Sequence, residues 1–168
     1  MRIRTISLLS IVLISLVMVP HMDAAPGGIG TIGDNGCSCH GGPSSDTTVT
    51  VTGLPDVYNS SESYVFTVTV TNDVMEIYNG GSTEGDDPWN GRAGGFRILA
   101  SKGVVAPIDP AMAQEMNGGL THTTESNGVR TWDFEWTAPA DDSQFVEFKI
   151  HGNAVNGGDG VNGDMWKL

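Results

Sequence analysis

Three stretches of this chain alternate apolar and polar residues one for one, and a period of two narrows the structures open to it. Residues 47–52 read TTVTVT, with Val49 and Val51 on one side. In residues 63–72, Tyr64, Phe66, Val68 and Val70 share one side and Thr67, Thr69 and Thr71 the other. Residues 129–137 set Trp132, Phe134 and Trp136 against Thr131, Asp133 and Glu135. Successive side chains of a β-strand point to opposite faces, so each stretch reads as a strand with one face in a core and the other in water. The third alternates most steeply and reads as a central strand. Two shorter strands follow the same rule: residues 94–100, with Phe96 and Ile98 opposite Arg97 and Leu99, and residues 146–151, with Val146, Phe148 and Ile150 inward and Glu147, Lys149 and His151 outward to solvent.

The connections are those of an all-β chain. Gly53-Leu54-Pro55-Asp56 and residues 139–143 are turns. Residues 111–116 make one helical turn at most, because Pro107 and Pro110 stand just before them. The C-terminal NAVNGGDGVNGDMWKL is a glycine-rich and Asx-rich loop leading into a last strand. Either the domain closes soon after Trp166, or a closing strand and a C-terminal anchor lie beyond the given sequence. Five or more short strands with no amphipathic helix between them predict an antiparallel, immunoglobulin-like β-sandwich over residues 46–168, with Phe66, Val68, Trp132, Phe134, Trp136, Phe148 and Ile150 in its core.

What precedes the sandwich reads as export machinery. Arg2 and Arg4 form a basic n-region, residues 6–19 an apolar h-region and residues 21–25 a polar exit, so residues 1–25 are expected to be a secretory signal peptide cut after Ala24 or Ala25. The apolar run is shorter than the roughly 20 residues that span a bilayer. An uncleaved N-terminal anchor is the other reading. The whole chain has 8 Lys and Arg against 20 Asp and Glu, a formal charge of −12. Losing Arg2, Arg4 and Asp23 leaves it more acidic still, with no cationic run, which disfavours nucleic acid and anionic membranes as partners. Membrane association is expected only through an anchor.

Residues 26–45 form an irregular glycine-rich lead-in that contains both cysteines of the chain, in Gly36-Cys37-Ser38-Cys39-His40-Gly41-Gly42. Two thiols and an imidazole within four residues can close a short disulfide, ligate a metal, or hold a haem by thioethers with His40 on the iron. A haem would also call for a sixth ligand; His122, His151, Met75 and Met165 are the candidates. Oxygen-rich segments offer a second kind of site. Asn156, Asp159, Asn162 and Asp164 can supply ligands to Ca²⁺ without matching an EF-hand, and Glu84, Asp86 and Asp87 sit in a long acidic loop. The sequence carries no nucleophile elbow, zinc-binding HExxH helix or phosphate-binding loop, and is read as no enzyme.

The Cys-His-Gly-Gly run, the Val/Thr strand pair, Gly94-Gly95-Phe96, Thr121-His122, Trp136-Thr137-Ala138-Pro139 and Gly152-Asn153-Ala154-Val155-Asn156-Gly157 together resemble the choice-of-anchor V domain, a prokaryotic relative of the reelin-type (reeler) domain. The resemblance spans essentially residues 26–168. It implies an exported β-sandwich held at the cell surface by a C-terminal sorting signal. It also implies covalent haem c, since many such domains carry Cys-x-x-Cys-His where Cys37, Cys39 and His40 stand; this chain has one residue fewer between its cysteines. The expected function is therefore an extracytoplasmic module with a haem-like Cys-x-Cys-His site, passing electrons to surface redox proteins. The alternative is a non-redox adhesive or structural domain in which Cys37 and Cys39 form a disulfide or bind another metal.

Overall fold

The computed structural model describes residues 27–30, 37, 40–74, 93–141, 145–156 and 163–168. Nine strands run through them: β1 (Thr47–Thr52), β2 (Ser63–Asn72), β3 (Gly94–Ala100), β4 (Val104–Pro107), β5 (Ala113–Met116), β6 (Gly119–His122), β7 (Thr131–Thr137), β8 (Phe148–Ala154) and β9 (Met165–Lys167). Every pairing is antiparallel. They form two sheets, β1-β2-β7-β4 and β5-β6-β3-β8-β9. The first has the order of strands A, B, E and D of an immunoglobulin domain, and β3-β8-β9 has that of C, F and G, with the β5–β6 hairpin added beside β3. The fold is an all-β sandwich.

Register follows from the apolar alternation. Pairing of β2 with β7 sets Tyr64 opposite Trp136, Phe66 opposite Phe134 and Val68 opposite Trp132. A slip of one residue by either strand would turn its three apolar side chains out of the core. In the second sheet Ile98 lies opposite both Leu120 and Ile150. The two apolar faces meet through aromatic rings: Phe134 packs edge-on to Phe66 at 4.5 Å within its own sheet and stacks on Phe96 of the other at 5.3 Å. Of the seven core residues expected from the sequence, six are buried, and Phe148 is partly buried against them.

Several local expectations change. Residues 111–116 are not helical: the Asp109 carbonyl accepts the amides of Met112 and Ala113 in a single turn, and the chain then runs extended as β5. The cause lies just downstream. Asn117 (φ 45°) and Gly118 (φ 73°) both take positive φ between the paired residues Met116 and Gly119. That is a two-residue, type I′-like hairpin turn, and it commits the preceding residues to pairing with β6. Strand β7 begins at Thr131 rather than residue 129. Strand β8 continues through Asn153 and Ala154, expected to be loop, because Gly95 and Gly94 of β3 pair with them. No helix among the described residues is long and apolar enough to cross a membrane.

Candidate functional site

The outer face of the five-stranded sheet is polar, yet it is buried. Its register places Gln114, Thr121, Arg97 and His151 in one rank across β5, β6, β3 and β8, and Gly95, Asn153 and Trp166 in the next across β3, β8 and β9. The glycine-rich lead-in lies against these ranks. The Gly27 carbonyl accepts from Gln114 Nε2, the Ile29 amide donates to Thr121 Oγ1 at 3.3 Å, and the Gly30 carbonyl accepts from Arg97 Nη2 at 3.3 Å. Gly28 passes so close to β6 that a Cβ there would lie 2.6 Å from the His122 carbonyl oxygen, which is why a residue without a side chain stands there. Further along, Trp166 Nε1 donates to the Gly41 carbonyl at 3.0 Å and the Ser44 amide to the Trp166 carbonyl at 2.8 Å. The lead-in thus works as a strap.

Under it, Arg97 is 1 % exposed. Its guanidinium donates to the carbonyls of Met116 (2.6 Å), Asn117 (3.1 Å) and Gly30, so it gathers the start of the β5–β6 turn and the strap on one cation. Burial lowers its pKa from the ordinary arginine value. A lone cation in the apolar run Gly94–Ala100, in a chain so poor in Lys and Arg, was a legible sign of such a role.

The motif itself sits at the second end of the strap. The His40 amide donates to the Cys37 carbonyl at 2.8 Å, closing a tight turn that brings the half-buried Cys37 and His40 together; Cys39 lies outside the described residues. His40 Nδ1 is 2.8 Å from Oδ2 of Asp164, whose side chain is fully buried. Oδ1 of the same carboxylate accepts the Asn156 amide at 3.1 Å. That contact places an N–H on Nδ1 toward the carboxylate, and in the neutral imidazole with that tautomer Nε2 carries the lone pair. The Asn153 side-chain amide stands 3.3 Å from Nδ1. Facing an N–H, it is best oriented with its oxygen toward the ring, since amide oxygen and nitrogen are told apart only by their partners. Among the described residues Nε2 makes no hydrogen bond. A histidine held through one nitrogen by a carboxylate, with the other nitrogen uncommitted, has the outer support that metal-ligating histidines have.

The other predicted residues fall on the same face. His122 at the end of β6 lies over Gly95, where a Cβ would be 2.5 Å from its Cε1, and its Nδ1 accepts the Phe96 amide at 3.2 Å. The same nitrogen lies 3.4 Å from the Phe96 carbonyl oxygen and 3.4 Å from Thr121 Oγ1, so Nδ1 is engaged from three sides. His151 was expected to be solvated on an outward face; the face is right and the exposure is not, since the residue is only 3 % exposed. Its ring lies 6.0 Å from that of Trp166, and among the described residues its Nδ1 has no hydrogen-bond partner. Met165 Sδ lies 3.3 Å from Asn72 Nδ2. For the calcium set, Asp164 has one oxygen on His40 and the other on Asn156, while Asp159 and Asn162 lie outside the described residues, as do Met75, Glu84, Asp86 and Asp87. No three His, Cys, Asp or Glu side chains among the described residues gather as a metal-ligand group. Asp164 as partner of His40, and Asn153 beside it, escaped the sequence reading because 124 and 113 residues separate them from the histidine.

Burial first, and then the charge of Lys149, push the His151 pKa below the usual histidine value. The folded state holds His151 neutral while the unfolded chain protonates it near the ordinary value. Stability from this group is therefore fully present above that value and is lost as pH falls from it toward the depressed folded one. In cofactor-free protein, urea unfolding across this window should show the wild type losing stability relative to His151→Phe with a slope of at most about 1.4 kcal/mol per pH unit. Parallel profiles would contradict a buried neutral His151.

No family model matches the chain, and no curated protein matches it. Among solved structures it is similar to the Reelin-N domain of F-spondin, at 19% identity over 67% of this chain and 74% of that one, with a TM-score of 0.44. It is likewise similar to the human F-spondin reeler domain (fragment 2), at 19% identity over 71% of this chain and 84% of that one, with a TM-score of 0.45.

Proposed function

We propose that this chain is an extracytoplasmic β-sandwich module that carries a c-type haem at Cys37, Cys39 and His40 and passes single electrons to redox proteins at the cell surface. The observation that carries the reading is the His40–Asp164 pair at 2.8 Å, which commits Nδ1 to a buried carboxylate and leaves Nε2 as a donor. The residues fit the group. Cys37 shares a tight turn with a histidine whose Nδ1 is anchored, and the buried Nδ1 of His151, without a hydrogen-bond partner among the described residues, offers a second nitrogen on the same face. His151 is favoured over His122 as sixth ligand because His122 Nδ1 is already engaged by the Phe96 backbone and Thr121. When bound, the haem supplies the one-electron couple. The protein's share is to hold His40 in one tautomer, to keep the neighbouring face polar but dry, and to keep His151 neutral.

The non-redox reading has an observation of its own: the strap needs the motif only as a latch, through His40 on Asp164 and Gly41 on Trp166. Protein exported by a host with haem-maturation machinery separates the two. A Soret band with a haem-sized gain in intact mass, both lost in Cys39→Ser and His40→Ala, is the expected result. A colourless product lighter than the reduced chain by one pair of hydrogens would mean a Cys37–Cys39 disulfide and would favour an adhesive or structural module.

A further inference from the structure

We infer that Asp164 is the positioning residue of the His40 site: it fixes the imidazole in the Nδ1–H tautomer and makes Nε2 a stronger donor, setting the reduction potential of whatever iron centre His40 binds. The second half of this statement rests on the haem reading above; the first does not.

Asp164 does not touch the motif by local sequence. It stands at the entry to β9, one residue before Met165, and its side chain is fully buried where the strap crosses the sheet. The Asn156 amide holds one carboxylate oxygen and aims the other at His40 Nδ1. Asn153, opposite Trp166 in the sheet, closes the other side of the same nitrogen. His40 therefore has its ring nitrogen fixed from two strands, β8 and β9, while its peptide hangs on the strap by the turn to Cys37. In so dry a place the carboxylate's field is poorly screened, and an N–H given to it shifts electron density toward the far nitrogen. A negative charge next to the ligand stabilises the oxidised, more positive state of a metal. Neutralising it raises the reduction potential.

Two measurements test this. Long-range ¹⁵N–¹H NMR of cofactor-free protein should show His40 as the Nδ1–H tautomer in the wild type and as a mixture dominated by Nε2–H in Asp164→Ala. An Nε2–H wild type, or a tautomer unmoved by Asp164→Ala, would overturn the positioning role whether or not haem binds. In haem-loaded protein the midpoint potential should rise in Asp164→Asn and return toward wild type in Asp164→Glu, which restores the charge. Equal potentials in all three, alongside a loss of melting temperature in the variants, would make Asp164 a structural latch only. A wild type that takes up no haem would overturn the functional reading and the potential-setting half, leaving the tautomer result to decide the other half. Should Asp164→Ala fail to fold, Asp164→Asn gives the same NMR readout with an acceptor retained, and its His40 resonances should still move.

Discussion

Replacing Trp136 by alanine should destabilise the sandwich by about 3–5 kcal/mol, the usual cost of deleting a buried aromatic side chain. Trp136 is fully buried in β7, an interior strand of its sheet. Its ring meets Tyr58 edge-on at 5.4 Å, Tyr64 in a stack at 5.8 Å and Phe148 of the other sheet edge-on at 5.1 Å. Its Nε1 donates to the Lys102 carbonyl at 3.0 Å, so truncation also orphans an acceptor in the turn before β4. The surrounding rings come from both sheets and cannot collapse together into the space without breaking register. Equilibrium urea unfolding measures the loss, and an unchanged midpoint would mean that this ring is not in the core.

A large effect is also expected from Gly119→Val, with the adjacent glycine as its control. A Cβ on Gly119 would fall on the carbonyl oxygen of Ile98, a backbone atom of β3. That strand is paired on both sides, by β6 and β8, and cannot retreat. Arg97 Cζ stands 3.1 Å away as well, so any shift also disturbs the guanidinium that ties the hairpin to the strap. The cost should reach the upper end of overpacking, about 3 kcal/mol, with lost amide protection in β6 and in residues 29–30. Gly118→Ala should cost only about 1–2 kcal/mol: nothing lies within 4 Å of the new Cβ, and the penalty is the positive φ alone. Equal effects at the two positions would refute the close approach at Gly119.

The Asn117-Gly118 turn shows where the sequence could have been read further: an Asn-Gly pair is a strong local signal for a hairpin, and the reading of residues 111–116 as at most one helical turn did not use it. The β5–β6 hairpin was thus legible from two residues. Strand β4 (Val104–Pro107) was not, being four residues long with no alternation to mark it.

What the sequence alone determined was everything that depends on period two: the all-β class, the inward faces of β1, β2, β3 and β7, and nearly the whole core. These follow from single strands, because the alternation that buries Phe66, Val68, Trp132, Phe134 and Trp136 is a property of neighbours in the chain. It also showed that both cysteines stand within four residues of each other and beside a histidine, in Cys37-Ser38-Cys39-His40. Only the tertiary structure decided that the outer face of the second sheet is not a solvent face. Arg97, His151 and Asn153 look like outward residues by their position, yet all three are buried, and backbone groups of the glycine-rich lead-in bond Gln114, Thr121 and Arg97 on that face. Likewise Asp164 reads in the sequence as one more Asx in a glycine loop. Folding sets it against His40 because β9 pairs with β8 at the edge where the strap crosses, and a buried carboxylate needs donors, which the Asn156 amide and the His40 ring supply.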